Sequence, residues 1–207
     1  QKEYTWEQFI AEVTLNRAGL GGLTYTHLGI NSAKDDIVNF GRPDACHIMV
    51  IISDGGPQYA ASAASAADAA QSLDPPITIF SVCIGVGSLC NSNQMRSMAS
   101  DPVDDHFLQS PDFNLLDNHV TELMEKICPS PCFERPTDVI FALDHSGSVS
   151  PTEFQKVKAW VANIADKVAT STYSVRIGIV TFGSSVTHVI SLTQYSGQML
   201  DDLDQVI

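Results

Sequence analysis

With 207 residues, 44% of them hydrophobic, the chain can bury one good core or two small ones. Lys and Arg total 11 against 24 Asp and Glu, a formal charge of −13, and basic residues such as Lys34, Arg42, Lys126, Lys156, Lys158 and Arg176 are scattered, which excludes the positive face that nucleic acid or an anionic membrane surface requires. No apolar run reaches the ~18 residues of a membrane-spanning helix, and Gln1-Lys2-Glu3 opens on no signal-type apolar core, so a soluble, mature or excerpted chain is expected.

Along the chain, Phe9-Ile10 with Val13 suggests a helix close to the start. The apolar run His47 to Ile52 reads as a buried strand, and the Ala-rich run Ala60 to Ala70 as a helix whose small side chains let it lie close to a sheet. After Pro75-Pro76 comes a second buried strand, Ile77 to Ile84. Leu115, Leu116, Val120, Leu123, Met124 and Ile127 share one face of a helix that stops near Cys128. Pro129 to Pro136 holds three prolines in eight residues and supports neither helix nor central strand. It divides the chain into residues 1–128, a linker 129–136 and residues 137–207. Beyond it, Asp138 to Leu143 and Val175 to Phe182 read as buried strands and Thr187 to Ile190 as an edge strand. Between them Phe154, Val157, Trp160, Val161, Ile164 and Val168 recur at helical spacing. Met199-Leu200 with Leu203 echoes the opening helix. Strands alternating with helices predict an α/β fold, a doubly wound, mainly parallel sheet covered by helices on both faces.

The chemistry lies where the strand Asp138 to Leu143 runs into Asp144-His145-Ser146-Gly147-Ser148. An acidic residue and two hydroxyls at alternate positions, at the carboxyl end of a buried strand, can turn three oxygens towards one point. That is a site for a hard cation, Mg²⁺ or else Mn²⁺ or Ca²⁺. Ser150, ahead of Pro151-Thr152-Glu153, is suited to cap the following helix. The six histidines show no metal or triad spacing, and Cys90 stands where a third glycine would complete a dinucleotide turn after Gly85-Val86-Gly87. Binding rather than catalysis is expected. The five cysteines, Cys128 and Cys132 among them, point to disulfides in an oxidising, extracellular compartment. Cys83, inside a strand, reads as a buried small hydrophobe, and Cys90 as a candidate partner for the linker cysteines.

At these residues the chain resembles the von Willebrand factor A family. Residues 138–193 are similar to the first half of such a domain, with Asp144, Ser146 and Ser148 matching its metal-ion-dependent adhesion site. Residues 21–128 look like the second half: Gly21-Gly22-Leu23-Thr24-Tyr25-Thr26 matches its threonine loop and Ile51-Ile52-Ser53-Asp54-Gly55 its strand ending in Asp-Gly. The resemblance implies a Rossmann-like fold in which Thr24 and Asp54 complete the metal shell. Ser53 stands where the family usually has threonine. It further implies a secreted matrix module whose metal accepts a carboxylate from a protein ligand such as collagen. A metal-independent structural scaffold is the alternative. His145, read as turned to solvent, and Tyr25, with Asp35-Asp36 nearby, are candidate ligand-binding rim residues.

The two halves stand in reversed order, as in an excerpt across the junction of two tandem domains. Half a parallel sheet exposes an unpaired central strand and a wide apolar face. The segments are therefore expected to pack into one permuted unit, within the chain or by exchange of halves between chains.

Overall fold

Four uninterrupted apolar strands need cover on both faces, and the computed structural model supplies it; residues 22–87, 90–127, 135–169 and 175–192 are described. The elements in chain order are α1 (Thr26–Phe40), β1 (Cys46–Ser53), α2 (Ala60–Gln71), β2 (Ile77–Ile84), α3 (Ser92–Arg96), α4 (Val103–His106), β3 (Phe107–Ser110), a 3₁₀ turn (Leu116–His119), α5 (Val120–Ile127), β4 (Thr137–Asp144), α6 (Pro151–Ala169), β5 (Val175–Phe182) and β6 (Val186–Ile190). They build one six-stranded sheet of order β3-β2-β1-β4-β5-β6. Only β6 is antiparallel, against β5, among these pairs. The α/β doubly wound fold read from the pattern is the fold of the chain.

Alternate strand residues sort onto two faces, as the period of two in a strand requires. Ile48, Val50 and Ile52 of β1, with Phe80, Phe141 and Leu143, meet α5 and α6 through Leu123, Ile127, Phe154 and the fully buried Trp160. On the other face Met49, Ile51, Ile140 and Phe182 pack under Ile30, Ala33 and Ile37 of α1 and the alanines of α2. At β1 and β4 the sheet joins strands from either side of the proline segment, in register from Cys46 opposite Thr137 to Ile52 opposite Leu143.

Polar bonds lock this seam. The side chain of Asp138, fully buried, accepts from Arg42 Nε at 2.9 Å, Nη2 at 2.7 Å and backbone N–H at 2.7 Å. Asp36 accepts from the Ser191 hydroxyl at 2.7 Å and the Leu192 N–H at 3.0 Å, tying α1 to the segment after β6. Asp36 is 3% exposed, so it cannot serve as a rim residue, as its exposed sequence context suggested.

Two further expectations are corrected. Cys83 is bonded to Cys90 across a separation of seven residues, and is not a free small hydrophobe. Cys46 is disulfide-bonded as well. The helix read through Leu115 to Ile127 begins as a 3₁₀ turn, with Leu115 itself exposed. The terminal echo (Phe9, Ile10, Val13; Met199, Leu200, Leu203), Gly21, Cys128, Cys132 and residues 129–134 lie outside the described residues.

Candidate metal-ion site

Parallel strands all end at one edge of a sheet, so residues far apart in sequence can meet there. β1 ends in Ser53 and is followed by Asp54; β4 ends in Asp144 and runs on to Ser146 and Ser148. The Ser53 hydroxyl donates to Asp144 Oδ2 at 2.5 Å and accepts from the Gly55 N–H at 3.2 Å. Asp144 Oδ1 accepts from the Ser146 N–H at 2.8 Å. The Ser148 hydroxyl donates to Asp54 Oδ1 at 2.8 Å, and the Ser146 and Ser148 oxygens stand 3.0 Å apart. Four of the five residues singled out, Asp144, Ser146, Ser148 and Asp54, thus form one connected cluster.

Thr24 is tied by its backbone to the segment that follows Asp54. Gly22 adopts φ +100°, which favours glycine, and turns the loop so that the Leu23 N–H meets Ser184 Oγ at 3.2 Å and the Tyr25 N–H meets the Gly183 carbonyl at 3.2 Å. The Thr24 carbonyl accepts from the Gln58 N–H, 2.9 Å away, just beyond the Asp54 loop. Among the described residues no hydrogen bond joins the half-buried Thr24 side chain to the cluster. Thr26, the motif's second threonine, is fully buried at the start of α1, and its hydroxyl has no hydrogen-bond partner among the described residues.

The helix that follows the loop is anchored as its sequence suggests. The Glu153 N–H donates to Ser150 Oγ at 3.3 Å while Glu153 Oε2 accepts from the Ser150 N–H at 2.8 Å, a reciprocal capping box with Pro151 at the first helical position. These bonds hold the Glu153 carboxyl below its ordinary range.

Electrostatics set the cluster apart. Burial pushes the Asp144 carboxyl up to about 6; the bonds from Ser53 and Ser146 pull it down, and the Asp54 charge pushes it further up. Asp54 is raised too, first by burial, opposed by the Ser148 bond, with the Glu153 charge a smaller upward contribution. Neither carboxylate has a Lys, Arg or His ion-pair partner among the described residues. Two neighbouring carboxylates without a cation form an environment that a positive charge would relieve. The donors are all hard oxygens, two carboxylates with hydroxyls, which suits Mg²⁺, Mn²⁺ or Ca²⁺. Among the described residues no group of three His, Cys, Asp or Glu side chains could hold a metal, so the constellation rests on hydroxyls as much as on charge.

His145 does not turn to solvent. Its N–H donates to the Phe182 carbonyl at 2.7 Å, and its ring, 9% exposed, stacks on Phe154 with centroids 4.3 Å apart, pinning the loop to the first turn of α6. Tyr25 is half-buried and stacks on Tyr59, centroids 5.5 Å apart, with the His27 ring edge-on to Tyr59. Tyr59 is 52% exposed. Sequence reasoning passed over Tyr59 and over the bond by which Ser53 holds Asp144. The position of Ser53 was readable: once β1 and β4 are neighbours, the residue before Asp54 lies opposite Asp144.

A family model described as von Willebrand factor type A domain matches residues 2–122 and 138–207. The collagen alpha-4(VI) chain of Mus musculus is 27% identical over 182 residues, covering 87% of this chain and 7% of that one. Matrilin-1 of Bos taurus is 36% identical over 67 residues, 32% of this chain and 12% of matrilin-1. The chain thus spans a small fraction of the length of these curated relatives. Among solved structures, an uncharacterized protein from Alicyclobacillus acidocaldarius subsp. acidocaldarius DSM 446 superposes with a TM-score of 0.51 at 14% identity, covering 83% of this chain and 87% of that one; the likeness is one of fold.

Proposed function

The chain belongs to the von Willebrand factor type A domain family, and from that premise we propose that it is a module of a secreted matrix protein that captures an acidic side chain of a protein ligand, such as collagen, through a divalent cation. The clustering of Asp144, Ser146, Ser148 and Asp54, with no basic ion-pair partner among the described residues, carries this reading. The names of the relatives, collagen VI chains and matrilins, support the matrix setting.

Ser146 and Ser148 would hold the cation directly with Asp144, and Thr24 and Asp54 would complete the shell. Bound there, Mg²⁺ or Mn²⁺ supplies an electrophile with room for one more oxygen, because neutral hydroxyls leave much of its charge uncompensated. Asp144 must be ionised to take part, and the Ser53 and Ser146 bonds favour that form. Tyr25 and Tyr59 lie beside the threonine loop, where a ligand flanking the captured carboxylate would rest.

The segments 1–128 and 137–207 read as parts of two neighbouring domains completing one permuted unit. The β1–β4 register and the Arg42–Asp138 pair support that reading. Exchange of halves between two chains would satisfy the same contacts. A metal-independent scaffold is the second reading, favoured by the way Ser53 and Ser148 already satisfy the two carboxylates. Calorimetry with Mn²⁺ separates the two: saturable heat that Asp144→Ala removes supports adhesion through metal, and no heat supports the scaffold.

A further inference from the structure

Within the described residues, the ring trio of Tyr25, His27 and Tyr59, the polar recess around Asn91, Asn93 and Gln109, and the buried Asp36 and Asp138 are absorbed by the rim already described, by hydrogen bonds to Gly85, Ser92 and Gln94 or by the seam. The Cys83–Cys90 disulfide is not absorbed in this way. Cys83 pairs in register with Ser53, the residue whose hydroxyl holds Asp144. Cys90 leads directly into Asn91, whose Oδ1 accepts from the Gln94 N–H at 3.2 Å and whose carbonyl accepts from the Met95 N–H at 3.0 Å, starting α3. Against that start lies the loop after Asp54. A Cβ on Gly56 would stand 2.3 Å from Gln94 Oε1 and 3.0 Å from Asn91 Cβ, so the backbone at Gly56, two residues past Asp54, rests against these two side chains.

We propose that the Cys83–Cys90 disulfide is a positioning element of the candidate metal-ion site: it fixes the start of α3 against β2, and Asn91 and Gln94 form the wall that holds the Asp54 loop in reach of Ser148. The proposal rests on the adhesion-site reading for its metal and on packing alone for its geometry. A disulfide closing so short a loop restrains the unfolded chain less than a long-range one, so its placement beside the site matters more than its contribution to global stability. Both cysteines are buried, Cys83 0% and Cys90 1% exposed.

The test uses the full 207-residue chain. In Cys83→Ala/Cys90→Ala, the Mn²⁺ dissociation constant read by calorimetry should rise on the order of tenfold or more, as for other changes behind a metal shell. Amide exchange at Gly55 and Gly56 should quicken while that of Val161 in α6 stays slow. Asn91→Gly/Gln94→Ala keeps the disulfide and removes both contacts to Gly56, Asn91 Cβ and the Gln94 amide, and should reproduce both effects even if the first variant fails to fold. An Mn²⁺ affinity within about twofold of wild type in the wall variant, together with unchanged exchange at Gly55 and Gly56, would overturn the proposal. If wild type itself gives no heat with Mn²⁺, the adhesion reading falls, and the exchange rates at Gly55 and Gly56 in the two variants still support or overturn the positioning role.

Discussion

Ser53 and Asp144, 91 residues apart in the chain, share a hydrogen bond of 2.5 Å across the join between β1 and β4. The bond reaches a carboxylate that is otherwise penalised by burial, so it matters most when Asp144 is ionised. Ser53→Ala should lower unfolding free energy near neutral pH by about 1.5–3 kcal/mol, the usual cost of losing a bond to a charged group. Ser53→Thr keeps the hydroxyl and should cost little. Urea denaturation of the two variants checks this, and equal midpoints for Ala and Thr would contradict it.

A second consequence concerns pH in the presence of chelator. The folded carboxyl of Asp144 titrates at about 6, above its ordinary 3.8. Between those values the native state holds a proton that the unfolded state has released, so this group's contribution to stability falls as pH rises through that window. Above it the penalty is on the order of 3 kcal/mol. Asp144→Asn removes the titration. Its stability relative to wild type should therefore improve as pH is raised from about 4 to about 7, and a difference independent of pH would refute the assignment.

The Arg42–Asp138 pair offers a test of the seam itself. Asp138 is fully buried, and Arg42 supplies three of its hydrogen bonds, one from the backbone. Arg42→Ala leaves the buried Asp138 carboxylate without its guanidinium partner, with the backbone donor and the His47 ring 3.9 Å away remaining, and should destabilise by about 3–5 kcal/mol. Arg42→Ala/Asp138→Asn should recover part of that loss. Denaturant melts of the single and double variants give the answer; a mild effect of the single change would show that the β1–β4 ladder and apolar packing hold the two chain segments without this pair.

Adhesion makes its own prediction. Capture of the chain on immobilised collagen should be abolished by EDTA and restored by excess Mg²⁺ or Mn²⁺. Asp144→Ala should lose capture in either condition. Persistence of capture through both treatments favours the scaffold reading.

The stacked pair Tyr25 and Tyr59 separates ligand contact from metal binding. Tyr59→Ala should weaken capture about fivefold or more, the loss typical of an aromatic contact residue, while leaving Mn²⁺ binding unchanged. Loss of both would place Tyr59 in the support of the threonine loop instead.

How much of this was legible varies by element. The strands β1, β2, β4 and β5 announced themselves because strands buried on both faces are continuous apolar runs, and each ends within a residue or two of its expected limit. α1 was not read: its buried positions Ile30, Ala33 and Ile37 do recur at helical spacing, but Gly29, Asn31 and the Asp35-Asp36 pair dilute the signal. β3, four residues long, is set by its pairing with β2 rather than by composition. His145 lay in a polar loop, and nothing local to it shows that Phe154, nine positions on, turns back to cover its ring.

The sequence by itself determined the alternating α/β architecture, the Asp144-x-Ser146-x-Ser148 oxygens and the capped helix behind them, because periodicity, capping and ligand spacing are local properties. Only the tertiary structure decided that Ser53 holds Asp144, that Ser148 holds Asp54, that Cys83 pairs with Cys90 and that Asp36 is buried. The disulfide follows from how the chain after β2 turns back onto it; the other three depend on which elements become neighbours and in what register. That choice is made by burying two apolar sheet faces at once, so it is written across the whole chain and in no single segment of it.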